Sequence, residues 1–247
     1  MILKIEHHNK EWQINVEKFH DISIPINKTL NVNCYYLDEP AFSYYESPQF
    51  SGSLENGGSV NCEKISYYAH ASGTHTECAL HVLKVGFDMR NVLMPLLQLG
   101  VLLTIEPKEI GDEKVIDESF FEYLDNYNKA NVIIVRTLPN KEDKKTINYS
   151  NTNPPYFTKA SVELLKSKGF KHIITDLPSI DKESDEGKLA AHKAWFVENE
   201  KVPLDRTISE LVYIANEIHD AHYFVSINFP KIETDAVPSS IVLYPII

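Results

Sequence analysis

Tyr67-Tyr68-Ala69-His70-Ala71-Ser72-Gly73-Thr74-His75-Thr76-Glu77-Cys78-Ala79-Leu80-His81-Val82-Leu83 concentrates three histidines and a carboxylate within the twelve positions 70–81. A helix does not gather them: at about 100° per residue, His75 and Glu77 point to nearly opposite sides. In an extended chain the side chains alternate, so His75, Glu77 and His81 share one face. Two imidazoles and a carboxylate converging from a strand and its exit loop suit a divalent metal and a proton shuttle. A surface strand with scattered polar residues fits the same spacing, and short His/Glu clusters are a weak signal by themselves.

The rest of the chain alternates strands and helices. Apolar–polar alternation over 10–19 and the run 20–26 read as strands. Residues 59–71 read as a strand leading into the histidine cluster. The apolar runs 100–106, 132–137, 172–176 and 223–229 read as strands, those at 100–106 and 132–137 as buried ones. Asp117–Asp125 reads as an amphipathic helix capped by Asp117. Thr158 caps a helix over Lys159–Lys168 that stops at Gly169. Gly187–Val197 is helix-like and carries His192. Residues 27–60, rich in Asn, Ser, Tyr, Pro and Gly, form a long irregular segment, either functional or mobile. The pattern predicts a mixed α/β fold, and the absence of an obvious linker predicts one domain over 1–247.

Composition narrows the function. The net charge of −11 argues against a nucleic-acid partner, which needs a basic patch. No apolar run reaches the roughly 18 residues of a membrane span. The opening Met1–His8 lacks the basic-then-apolar pattern of a leader, so a cytoplasmic location is expected by default. Cys34, Cys62 and Cys78 are too scattered for a disulfide framework and are expected to be free thiols. Cys78 reads as a buried thiol, Trp12 and Trp195 as core or interface aromatics, and His219–His222 as a polar turn.

Gly73-Thr74-His75-x-Glu77-x-x-x-His81 resembles the signature of the metal-dependent cyclase and kynurenine formamidase family, His-x-Gly-Thr-His-x-Asp-x-Pro-x-His. Three positions depart: Ala71 stands for the first His, Glu77 for the Asp and Ala79 for the Pro. Asp21-Ile22-Ser23 resembles the family's opening. Asp176, Pro178, Ser179 and Asp181 match its Asp-x-Pro-Ser-x-Asp motif. Glu210-Leu211 and the closing run from Ser239 match in order, so the resemblance spans about Asp21 to Tyr244.

The resemblance implies the family's swivelling β/β/α fold. It implies His75, Glu77, His192 and Glu210 as ligands of Zn²⁺ or Mn²⁺, and His81 as the general acid–base. The implied reaction is hydrolysis of a small-molecule amide, formamide or cyclic amide or ester. The family's best-known substrate is N-formylkynurenine, an intermediate of tryptophan catabolism that is cleaved to formate and kynurenine. The resemblance also implies a homodimer or homotetramer, and aromatic pocket walls from segment 33–50. Ala71 binds nothing, and one step of strand alternation turns His70 to the opposite face. The expectation is therefore a reduced site, with one ion per chain rather than two. The competing reading is a degenerate relative that binds a small molecule without turnover.

Overall fold

The computed structural model describes residues 1–127, 129–198 and 200–247. Nine strands form the central sheet: β1 (His20–Asp21), β2 (His75–Glu77), β3 (Gln98–Ile105), β4 (Val132–Thr137), β5 (His172–Thr175), β6 (Thr207–Glu210), β7 (His222–Asn228), β8 (Ala236–Pro238) and β9 (Ser240–Pro245). Their spatial order is β8-β2-β6-β5-β4-β3-β7-β9-β1. The central four, β3, β4, β5 and β6, run parallel, and antiparallel strands extend both sides.

The parallel strands are apolar on both faces because both faces are covered. Val101, Leu103, Ile133, Val135 and Ile173 pack on one side with Val162, Leu165, Trp195 and Phe196 of the two helices, α1 (Lys159–Ser167) and α2 (Ala190–Phe196). Leu102, Val132, Ile134 and Ile174 pack on the other with Ile22, Val212, Ile214 and Ile241. The fold is mixed α/β, as expected. An antiparallel hairpin, Ile2–His7 with Lys10–Asn15, lies against the helix-side core through Leu3, Ile5 and Trp12.

The Thr158 hydroxyl accepts from the Ser161 amide, and Gly169 follows the helix at φ +92°, a left-handed position suited to glycine. Asp117 accepts from the Ser119 amide, but the segment it starts forms two 3₁₀ turns, Glu118–Phe120 and Glu122–Tyr127, in place of the expected helix. The expected strand over 59–71 is also shorter. Only Glu63–Ser66 is extended, paired with Ala41–Tyr44 in a two-stranded ribbon outside the main sheet. No helix among the described residues is long and apolar enough to cross a membrane.

Candidate active site

The site forms at the edge of the sheet where β2 lies between β6 and β8. Strand β2 is only three residues long, and alternation holds across those three. His75 and Glu77 point to the site, while the Thr76 hydroxyl lies 2.8 Å from that of Ser209. The preceding Gly73-Thr74 fixes the entry. Gly73 has φ +78°, and a Cβ there would sit 2.8 Å from the Ile24 carbonyl oxygen, so only glycine fits. The Thr74 hydroxyl accepts from the Ile24 amide at 2.7 Å and donates to the Leu211 carbonyl. It thereby joins β2 to the end of β6.

Glu77 is the centre of the arrangement. Its Oε1 lies 3.0 Å from His192 Nε2, and its Oε2 lies 3.2 Å from His70 Nδ1 and 3.8 Å from His81 Nε2. Glu210, at the end of β6, places Oε2 3.3 Å from His75 Nε2 and Oε1 3.6 Å from His192 Nε2. His75, Glu77, His192 and Glu210 are at most 3% exposed, whereas the side chains of His70 and His81 are 21% and 28% exposed. The structure thus brings together all five residues singled out by the motifs. His70 and His81 face a cleft of about 560 Å³, also lined by Tyr35, Leu37, Ser179 and Leu189.

His70 is where alternation misleads. Residues 69–71 are a turn, closed by the Ala71 amide donating to the Tyr68 carbonyl at 3.1 Å, so strand parity does not apply. The turn delivers His70 to Glu77 and buries Ala71 completely among Ile24, Val32, Cys34 and Leu211. The aromatic segment also needs correction. Of Tyr35, Tyr36, Phe42, Tyr44 and Tyr45, only Tyr35 lines the cleft, with its hydroxyl donating to the Pro178 carbonyl at 2.7 Å. Phe42 and Tyr44 lie on the outer ribbon.

The Asp-x-Pro-Ser-x-Asp stretch is scaffolding for α2 and Glu210. Asp181 accepts from the amides of Ala191 and His192 at the start of α2, and from His192 Nδ1 at 2.7 Å. This turns Nε2 of that ring inward. The Ile180 amide donates to Glu210 Oε1 at 3.0 Å. Asp176 is further away, paired with Lys144 at 2.7 Å. A residue outside every motif also enters: Asp235, just before β8, lies 2.9 Å from His70 Nε2 and 3.3 Å from His81 Nδ1. No local pattern announces it, because only the pairing of β8 with β2 brings it there. Cys78 and Trp195 are buried, and the three cysteines are free.

Opposed forces set the charges. Burial alone would lower the pKa of His70, but the hydrogen bond to Asp235 and the adjacent Glu77 carboxylate outweigh it and raise it to about 10. Burial likewise works against protonation of His192, and the Glu77 charge and Asp181 raise it well above the usual imidazole value. Burial pushes Glu77 up, yet the charges of His192 and His81 hold it well below the ordinary carboxylate range. Hydrogen bonds from His70 and His81 hold Asp235 low.

A metal ion fits these donors. His75 Nε2, His192 Nε2 and both Glu77 oxygens are buried without a hydrogen bond of acceptable geometry, although carboxylate and imidazole atoms face each other at 3.0–3.3 Å. Buried polar atoms left in this state are costly, and a cation at their focus satisfies them together. Among the described residues three triplets, His70-His75-Glu77, Glu77-His81-His192 and His70-His81-Asp235, each keep their potential donor atoms within 4.8 Å of one another, and the first two share Glu77. The extra protons on the imidazoles are those a cation displaces on binding.

A family model described as "Putative cyclase" matches residues 20–182. The chain is 29% identical over 213 residues to a kynurenine formamidase of Bacillus mycoides (strain KBAB4), covering 81% of this chain and 91% of that one. Isatin hydrolase A from Labrenzia aggregata has the same fold, with a TM-score of 0.67 at 10% identity over 92% of this chain and 93% of that one. A predicted metal-dependent hydrolase from Bacillus stearothermophilus gives 0.63 at 17% identity over 92% and 98%. The swivelling β/β/α architecture is therefore that of the cyclase structures. With the family model covering most of the chain and the motif residues gathered in one cluster, the chain belongs to the cyclase family.

Proposed function

We propose that this protein is a metal-dependent hydrolase of a small amide, formamide or cyclic amide or ester. The observation that carries the reading is the convergence of unpartnered buried donors on Glu77, directly below an open cleft. The kynurenine formamidase and isatin hydrolase relatives both act at a carbonyl bonded to nitrogen, which supports a C–N bond as the target.

His75, Glu77, His192 and Glu210 would hold the metal, with His70 taking the place that Ala71 vacates in the motif. With His70 included, the donors are three imidazoles and two carboxylates, a set that suits Zn²⁺ and accepts Mn²⁺. The reason for expecting a single ion also falls away, because that expectation rested on a missing imidazole. Bound in such a site, a divalent ion supplies an acidified water and polarises a substrate carbonyl.

The chain's own groups do the rest. His81 sits at the cleft wall with Nε2 facing Glu77 and the open volume, placed to take a proton from the attacking water and return it to the leaving nitrogen or oxygen. Tyr35, Leu37 and Leu189 give the cleft apolar wall for the body of the substrate. The reading of a binder without turnover rests on the departures at Ala71, Glu77 and Ala79, and His70 in the cluster weakens the first of them.

The test has two parts. Metal analysis of the purified protein should return one or more equivalents of Zn²⁺ or Mn²⁺ per chain. A panel of aryl formamides, cyclic amides and lactones, assayed with either ion added, should include substrates that are hydrolysed. Metal-free protein after reconstitution, with no turnover across the panel, would falsify the reading.

A further inference from the structure

Asp235 is partly exposed, its side chain at 38%, yet held at its backbone carbonyl and at both carboxylate oxygens. Its backbone carbonyl accepts from the Cys78 amide at 2.9 Å, which locks it beside the end of β2. Its Oδ1 accepts from the Thr234 hydroxyl at 3.1 Å. Its Oδ2 meets His70 Nε2 at 2.9 Å and His81 Nδ1 at 3.3 Å. The two imidazoles stack with centroids 4.0 Å apart and planes 29° apart, so one oxygen reaches the outer nitrogen of both. Asp181 stands to His192 in the same relation, through a different ring nitrogen.

We propose that Asp235 is a positioning residue that sets the tautomers of His70 and His81 together. A carboxylate oxygen accepts only, so each ring must present an N–H to it. His70 then carries its proton on Nε2, which leaves the Nδ1 lone pair directed at Glu77 and the metal position. His81 carries its proton on Nδ1, which leaves the Nε2 lone pair directed at the cleft, the state a general base needs at the start of turnover. One side chain thereby prepares a candidate ligand and the candidate proton shuttle. The role in turnover and the bare Nδ1 of His70, which faces Glu77 Oε2 at 3.2 Å, rest on the hydrolase reading above and its metal, while the His81 tautomer rests on the hydrogen-bond geometry.

The experiment uses the zinc-loaded full chain with ¹⁵N-labelled histidine. Long-range ¹H–¹⁵N spectra of the wild type should show His81 as the Nδ1–H tautomer and His70 protonated on Nε2. Asp235→Ala should convert His81 to a mixture or to the Nε2–H form. Asp235→Asn, which keeps the shape and one acceptor oxygen, covers the case in which the alanine variant does not fold, and should shift the His81 signals in the same direction by less. On a substrate from the panel, Asp235→Ala should lower kcat by about 10- to 100-fold with KM changed much less, and Asp235→Asn should recover part of that loss. Unchanged His81 tautomers in both variants overturn the proposal, as does a wild type with His81 protonated on Nε2. If the wild type hydrolyses nothing in the panel, the hydrolase reading fails, and the spectra still decide whether Asp235 sets the tautomers.

Discussion

His172 and His192 are both about 1% exposed, yet they sit in opposite electrostatic worlds. His172 opens β5, one of the central parallel strands of the sheet. Its Nδ1 lies 2.9 Å from the Thr207 hydroxyl, and burial lowers its pKa to about 3. His192, on α2, faces three carboxylates, Asp181, Glu77 and Glu210, and is pushed well above the usual imidazole value. Burial is common to the two, so burial alone does not mark a functional histidine. The carboxylates around it do, together with an inward nitrogen that finds no hydrogen bond.

The comparison breaks most sharply if His192 is expendable. His192→Ala and His75→Ala should each lower metal content and remove the stabilisation that bound metal confers, about 4 kcal/mol when free metal exceeds Kd a thousandfold. Metal analysis and thermal melts with and without added Zn²⁺ read this, and full metal content in both variants would end the ligand assignment. His81→Ala should keep its metal and lose roughly 10²-fold or more in kcat. Loss of metal along with rate would make His81 a ligand instead.

His70→Ala is next in size. It should lower metal content or affinity, a reversal of what strand alternation predicts, and competition with a chelator measures it. Installing the family's histidine by Ala71→His should not add a ligand. It would place an imidazole in a closed apolar cluster and should lower the melting temperature.

His172 sharpens the other side of the contrast. Its folded pKa lies below the unfolded value of 6.5, so between about pH 6.5 and 3 the unfolded chain binds a proton that the folded chain refuses. Stability should therefore fall as pH drops through that window, by about 2 kcal/mol from this residue at pH 5. Denaturant melts of the wild type and His172→Gln at pH 7 and pH 5 test it, and parallel losses in the two proteins would refute the assignment. The smallest expected effect is the helix cap: Thr158→Ala should cost about 1 kcal/mol in the same melts.

What the sequence discloses depends on how local the cause is. The cap at Thr158, the stop at Gly169 and the buried parallel strands follow from neighbouring residues, and the structure has them. The gathering of His75, Glu77, His81, His192 and Glu210 was legible only through motifs, since no periodicity joins positions 75 and 210. Alternation misplaces His70 because the chain turns at Tyr68–Ala71. Asp235 left no trace at all, because its place is decided by which strand pairs with β2. The resemblance assigns Phe42 and Tyr44 to the pocket wall, but their strand pairs with Glu63–Ser66 and leaves them on an outer ribbon.

The pairing of β2 has a consequence for how the protein comes into being. Glu77 is opposite Ile208 on one side and Ala236 on the other. Both neighbours of this three-residue strand leave the ribosome long after it does. Until they arrive, His75 and Glu77 have no sheet to belong to, and the partners of their side chains have not yet been synthesised. Closing loops of this length is slow compared with forming local turns. Completion of the site is then among the last events of folding, and a chain cut anywhere before β8 lacks the strand that closes it. On the hydrolase reading, metal retention becomes a readout of whether the whole chain has finished folding.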